Sequence, residues 1–173
     1  MTTRQRFAAV LLWSVLVLVG TMFGASVYQR ISLIPEWGGV PPQSVVDYFR
    51  DPRAGQAIDR FWTFVTAPTA VSIILALILN WPLVARRRWI SRGAILFFVL
   101  LAWTGLYFIP RGVVPLMVRG GDGLTPEAIT QMARAWIFWD WFRMAGTLAS
   151  YLCFVKAATQ DVRPAYADRA FAA

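Results

Sequence analysis

Histidine is missing altogether from the 173 residues. Its absence removes imidazole-ligated haem, chlorophyll, copper and zinc from the chemistry this chain can hold by itself. Cysteine occurs once, as Cys153, so no intrachain disulfide and no cysteine metal cluster can form, and the thiol reads as packed or lipid-facing. No metal and no cofactor is expected. Charge is scarce as well: Asp, Glu, Lys and Arg make up 15% of the chain against 58% hydrophobic residues, where an average soluble domain carries about 25% charged residues. A soluble fold has little room in such a composition. Internal repeats and low-complexity tracts are also lacking, so residues 1–173 read as one domain.

What is present is a set of four apolar segments, each close to the roughly 20 residues that cross a bilayer core. They run from Phe7 to Val27, from Phe61 to Leu79 with Trp81 and Pro82 closing it, from Trp89 to Ile109 with Pro110 closing it, and from Trp136 to Val155. The expectation is an all-α integral membrane four-helix bundle. Residues 30–60 and 110–135 become loops outside the membrane, and residues 163–173 a tail inside. The first segment follows Arg4 and Arg6, as a signal peptide would, but its apolar run is longer than the 7 to 15 residues of a signal core. It is read as a permanent helix.

Orientation follows from the basic residues. The side shared by the N-terminus, the Arg86-Arg87-Arg88 loop and the C-terminus has nine basic against two acidic residues, and the other side seven against six. Cytoplasmic loops carry the excess of Lys and Arg, which puts both termini in the cytoplasm of a multi-pass protein, in a membrane of the bacterial inner-membrane kind. The net charge of +8 lies in short loops beside the segments. Topology and anionic headgroups account for it there, and nucleic acid is not an expected partner.

Both outer loops carry helix signals. Pro41-Pro42 precedes a short stretch in which Val45, Val46 and Phe49 share one face, the pattern of a helix lying on the membrane surface. Asp51-Pro52 and Thr125-Pro126-Glu127 each read as an N-cap followed by a first-turn proline, so the second and fourth helices should start outside the lipid. Trp37, Trp81, Trp89 and Trp136 fall where interfacial aromatic belts form. Gly20-xxx-Gly24 permits close helix approach, a frequent pattern that by itself says little about dimerisation.

The fourth segment carries Asp140 and Arg143 inside its apolar run. An ionisable group within the bilayer costs roughly 2.5 to 3.5 kcal/mol on insertion scales, so such groups face protein or a wet cavity and have a partner. At about 100° per residue, Trp136, Asp140, Arg143, Thr147 and Ser150 form one stripe. Polar sectors also occur on the second helix (Asp59, Trp62, Thr63, Thr66, Thr69), the first (Ser14, Thr21, Tyr28) and the third (Trp103, Thr104, Tyr107, Arg111). Pointed at one axis, they would make a cavity open to the outer face. Its expected ligand contacts are Tyr28, Asp59, Trp62, Thr66, Trp103, Tyr107, Trp136, Asp140, Arg143 and Thr147. The plainer alternative is that Asp140 and Arg143 lock helix packing while Ser and Thr bond to their own helix carbonyls.

Gly24-Ala25-Ser26-Val27-Tyr28-Gln29-Arg30 followed by Pro35, then Tyr107-Phe108-Ile109-Pro110, then Ala133-Arg134-Ala135-Trp136 leading to Trp139-Asp140-Trp141-Phe142-Arg143, resemble the four-helix membrane family that includes anthrone oxygenases. That family's pattern has an asparagine where this chain has Asp140, before the same arginine. The resemblance implies cofactor-independent oxidation of a polycyclic phenolic substrate, in which a base forms an enolate that reacts with dioxygen. Asp140, Glu36, Asp59, Tyr28 and Tyr107 are the available bases, and Arg143 would steady the oxyanion. Two functions stay open. One is a pocket in which Arg143 and Asp140 receive an apolar aromatic or quinone-like molecule. The other is a non-catalytic accessory subunit of a larger membrane complex, respiratory or photosynthetic.

Overall fold

The computed structural model describes residues 3–118 and 121–160, apart from the side chains of residues 52, 54–59, 113, 117 and 118. Asp59 and the tail 163–173 thus lie outside the described residues. The described chain is all-helical: α1 (Thr3–Tyr28), a π-helical turn (Gln29–Leu33), α2 (Ile34–Gly38), α3 (Gln43–Arg50), α4 (Pro52–Leu79), α5 (Val84–Trp103), a π-helical stretch (Thr104–Val118) and α6 (Pro126–Ala158). Among the described residues, three helical rods are long and apolar enough to cross a membrane: Thr3–Gly38, Arg60–Leu79 and Val84–Leu116. The 33-residue α6 is long enough but less apolar, because its stripe of Asp140, Arg143, Thr147 and Ser150 interrupts the run.

Both proline-marked starts form as their chemistry requires. Asp51 accepts from the Arg53 N–H at 2.9 Å, and Thr125 Oγ1 accepts from the Ala128 N–H at 3.3 Å. Each cap satisfies one of the donors that a helix start leaves over. The helices also run further than hydropathy indicates. The first rod continues past Val27 through the π turn to Gly38, and the third passes Pro110 and Pro115 to Val118. Much of the two expected outer loops is therefore helix. Prolines break an α-helix because the ring meets the i−4 carbonyl, and a π-helical ladder bonds i→i+5 instead, which lets the rod continue.

The four long helices stand side by side, α1 against α4 and α6, α5 against α6 and α4, with α4 and α6 at opposite corners. Close approach is set by small residues. A Cβ on Gly146 would come 2.5 Å from Leu100 of α5, one on Gly93 2.9 Å from Phe154 of α6, and one on Gly20 3.3 Å from Tyr151 of α6. Gly20 thus serves packing within the chain, and Gly24 faces open space. Between helices in an apolar medium, such close packing supplies most of the attraction.

Two apolar cores lie along the bundle axis. Near the termini, Leu12, Val15, Val19, Ile73, Ile90, Phe97 and Phe154 pack together; at the far end, Ile34, Trp37, Val45, Phe49, Phe108, Leu116, Ile129 and Trp136 do so. The far core corrects two expectations. Val45 and Phe49 of α3 are buried against it rather than laid on a lipid surface, since Trp37 and Trp136 offer a protein floor. Trp37 and Trp136, at 1% and 3% exposure, are core residues with ring centres 5.2 Å apart, not belt residues. Gly121, at φ +80°, makes the turn that brings the chain back to the Thr125 cap.

Candidate functional site

Between the two cores α6 presents its polar stripe inward. Asp140 is 1% exposed, Thr147 8% and Ser150 fully buried, so the stripe faces protein as its spacing requires. Arg143 Nη2 donates to Asp140 Oδ1 at 2.5 Å and to Gln29 Oε1 at 3.0 Å. Its guanidinium carbon lies 4.7 Å from the centre of the Trp62 ring. One cation on α6 is therefore met by an amide at the end of α1 and an aromatic face near the start of the apolar part of α4. Gln29 follows the end of the first apolar run and Trp62 lies at the start of the second, so the pair is level with the ends of those two runs.

Among the described residues, three buried polar atoms of the stripe have no hydrogen-bond partner: Trp136 Nε1, Asp140 Oδ2 and Arg143 Nε. Each such atom costs roughly 1 to 3 kcal/mol if nothing else satisfies it. Above the stripe, Trp136 is enclosed by Trp37, Phe49 and Phe108, at ring distances of 5.2, 6.2 and 5.4 Å. The short helices α2 and α3 thus form an aromatic cap over the polar layer. In α3 the Tyr48 phenol is pushed above its ordinary pKa by burial first, then by Glu36 and Tyr28.

Of the residues named from sequence, Trp62, Asp140 and Arg143 come together, and Trp136 lies one turn from Asp140 on the same face of α6. Thr147 is on the stripe, but its hydroxyl donates to the Arg143 carbonyl at 2.8 Å. Thr66 is half-buried one turn along α4 and bonds to neither member of the pair. Trp103 stacks with Tyr107 and Phe108 and meets Trp139 at a tilt, ring centres 5.3 Å apart. Tyr28 is 61% exposed and Tyr107 44%, so both face outward, Tyr107 under the Arg111 guanidinium. The polar sector of the first helix does not turn in: Ser14 and Thr21 donate to the carbonyls of Val10 and Val17. A hydroxyl bonded to its own helix is satisfied without a partner helix, which frees that face to point away. Among the candidate bases Glu36 is exposed, and Asp140 alone of the described ones lies against Arg143.

Gln29, 4% exposed, was not singled out from sequence. A signal exists: Val15, Val19, Met22, Ser26 and Gln29 are all buried and repeat at spacings of four and three, so the amide continues the apolar face of α1. Two grooves elsewhere, of about 340 Å³ between α1 and α6 around Trp13 and Tyr151 and about 790 Å³ on α4 around Phe61 and Phe64, do not include the pair. No group of three or more metal-ligating side chains occurs among the described residues. No protein-family model, no curated protein and no solved structure matches this chain.

Proposed function

We propose that the chain is a four-helix integral membrane protein that holds an apolar aromatic or quinone-like molecule against Arg143 and Asp140, with both termini cytoplasmic. Two tiers of arginine–aromatic pairs support the bilayer placement. Arg87 over Trp81 and Arg92 over Trp89, at 4.8 and 4.6 Å, mark one end, and Arg111 over Tyr107 and Arg30 over Trp141, at 4.5 and 4.6 Å, the other. Aromatic rings and snorkelling arginines concentrate at membrane–water boundaries. Trp89 and Tyr107 are 18 residues apart on one rod, which is about 27 Å at helical rise and close to the hydrocarbon thickness of a bilayer.

The binding reading is carried by the three buried, unpartnered atoms on one stripe of α6. An ion pair kept only to lock helices gains by closing every bond, and this one leaves a donor and an acceptor open on its two members. The likeness to anthrone oxygenases extends the reading to cofactor-independent oxidation, with Asp140 as base and Arg143 beside the developing oxyanion. The test is a four-variant cycle in mild detergent. Asp140→Leu or Arg143→Met alone strands a buried charge and costs about 3 to 5 kcal/mol, whereas the double variant regains stability. Mass spectrometry of the natively purified wild type should find a small aromatic molecule that the double variant lacks. A wild type that carries none, or a double variant that carries as much, sinks the proposal.

One observation favours the accessory-subunit alternative. Phe138, Trp141 and Phe142 of α6 are 50 to 56% exposed on neighbouring positions, a face suited to a partner helix as well as to lipid. Larger membrane proteins co-purifying in fixed ratio would support it.

A further inference from the structure

We infer that the group recognised between Arg143 and Asp140 is a neutral hydroxyl, borne by an apolar alcohol or phenol, and not a carbonyl, ether or carboxylate. The inference rests on the ligand-binding reading above and narrows it. One edge of a guanidinium presents Nε–H and an Nη–H side by side, and a carboxylate commonly meets both in two parallel bonds. Here half of that fork is closed. Nη2 is shared between Asp140 Oδ1 and Gln29 Oε1, while Nε–H and Asp140 Oδ2 have no partner among the described residues.

A donor and an acceptor are thus left open on side chains three residues apart, neighbours on one helix face. The group that completes them accepts from Nε–H and donates to Oδ2. A hydroxyl does both at once. A ketone, quinone carbonyl or ether only accepts, which leaves Oδ2 unsatisfied in a buried place. A carboxylate or phenolate adds further acceptors and a second negative charge beside Asp140. An ammonium only donates and meets Nε–H donor to donor. Trp136 Nε1, one turn earlier on the stripe, is a second open donor and matches the second lone pair of a hydroxyl oxygen. The apolar remainder would lie against the half-buried ring of Trp62.

The experiment titrates naphthol and its methyl ether into the full-length protein in detergent micelles by calorimetry. The Asp140→Leu/Arg143→Met double variant measures partition into the micelle. Naphthol should bind the wild type about tenfold or more tightly than the ether, the cost of an unmet buried bond, and the preference should vanish in the double variant. Trp136→Phe, which keeps an aromatic ring and removes the N–H, should weaken naphthol more than the ether. Equal binding of naphthol and ether to the wild type, lost in the double variant, overturns the hydroxyl inference and leaves the ligand-binding reading standing. Binding of neither probe above the double variant, with the open atoms served by water alone, overturns both.

Discussion

Arg143 and Gln29 are 114 residues apart in sequence and joined by a 3.0 Å hydrogen bond from guanidinium to amide. Gln29 is the residue at which the first rod changes from α- to π-helical, and the change has a geometric effect. Inward-facing residues pass from Gln29 to Ile34 and then Trp37, a step of five where an α-helix would take four. That extra residue keeps Gln29 on the polar layer and still turns Trp37 onto Trp136. The polar layer and its aromatic cap are thus set by one turn of backbone.

Replacing Gln29 by Leu should cost about 1.5 to 3 kcal/mol in unfolding free energy, the range for a bond to a charged group. Tyr28→Leu, at an exposed position beside it, should stay within about 0.5 kcal/mol of wild type. Denaturant unfolding in detergent measures both. Equal effects at the two positions would mean that the amide does not hold the arginine.

Alanine at Gly146 should destabilise by about 1 to 3 kcal/mol, because its Cβ would meet Leu100 at 2.5 Å and push α5 off α6. Alanine at Gly24 meets nothing within 4 Å and should stabilise by roughly 0.5 to 1 kcal/mol through helix propensity. Thermal melting of the two variants gives opposite signs. A destabilised Gly24→Ala protein would instead point to a contact between copies of the chain at that face.

Topology is read by labelling single cysteines with an impermeant reagent in intact cells, in a Cys153→Ala background. Asp122→Cys, in the exposed turn before α6, should be labelled, and Arg88→Cys, exposed at the opposite end, should be protected. Asp122 is preferable to its neighbour Gly121, whose φ of +80° a side chain would strain. The reverse labelling pattern would put the Arg86 to Arg88 loop outside and the Arg143 layer toward the cytoplasm.

The sequence alone determined what depends on one helix at a time. Three of the apolar runs, the caps at Asp51 and Thr125, and the stripe from Trp136 to Ser150 all follow from hydropathy, from the unmet N–H groups of a helix start, and from a rotation of about 100° per residue. Which side chains meet across helices was decided only by the tertiary structure. Tyr28 and Tyr107 turned outward, Gln29 and Trp37 inward, and Trp136 became part of a core rather than a belt. The reason is that the rotation of one helix against another is fixed by Gly20, Gly93 and Gly146 at the contacts, by hydroxyls already bonded within their own helix, and by the π turn at Gln29. Average hydropathy along a segment is blind to all three, because each acts through where one atom lies and not through how apolar the segment is.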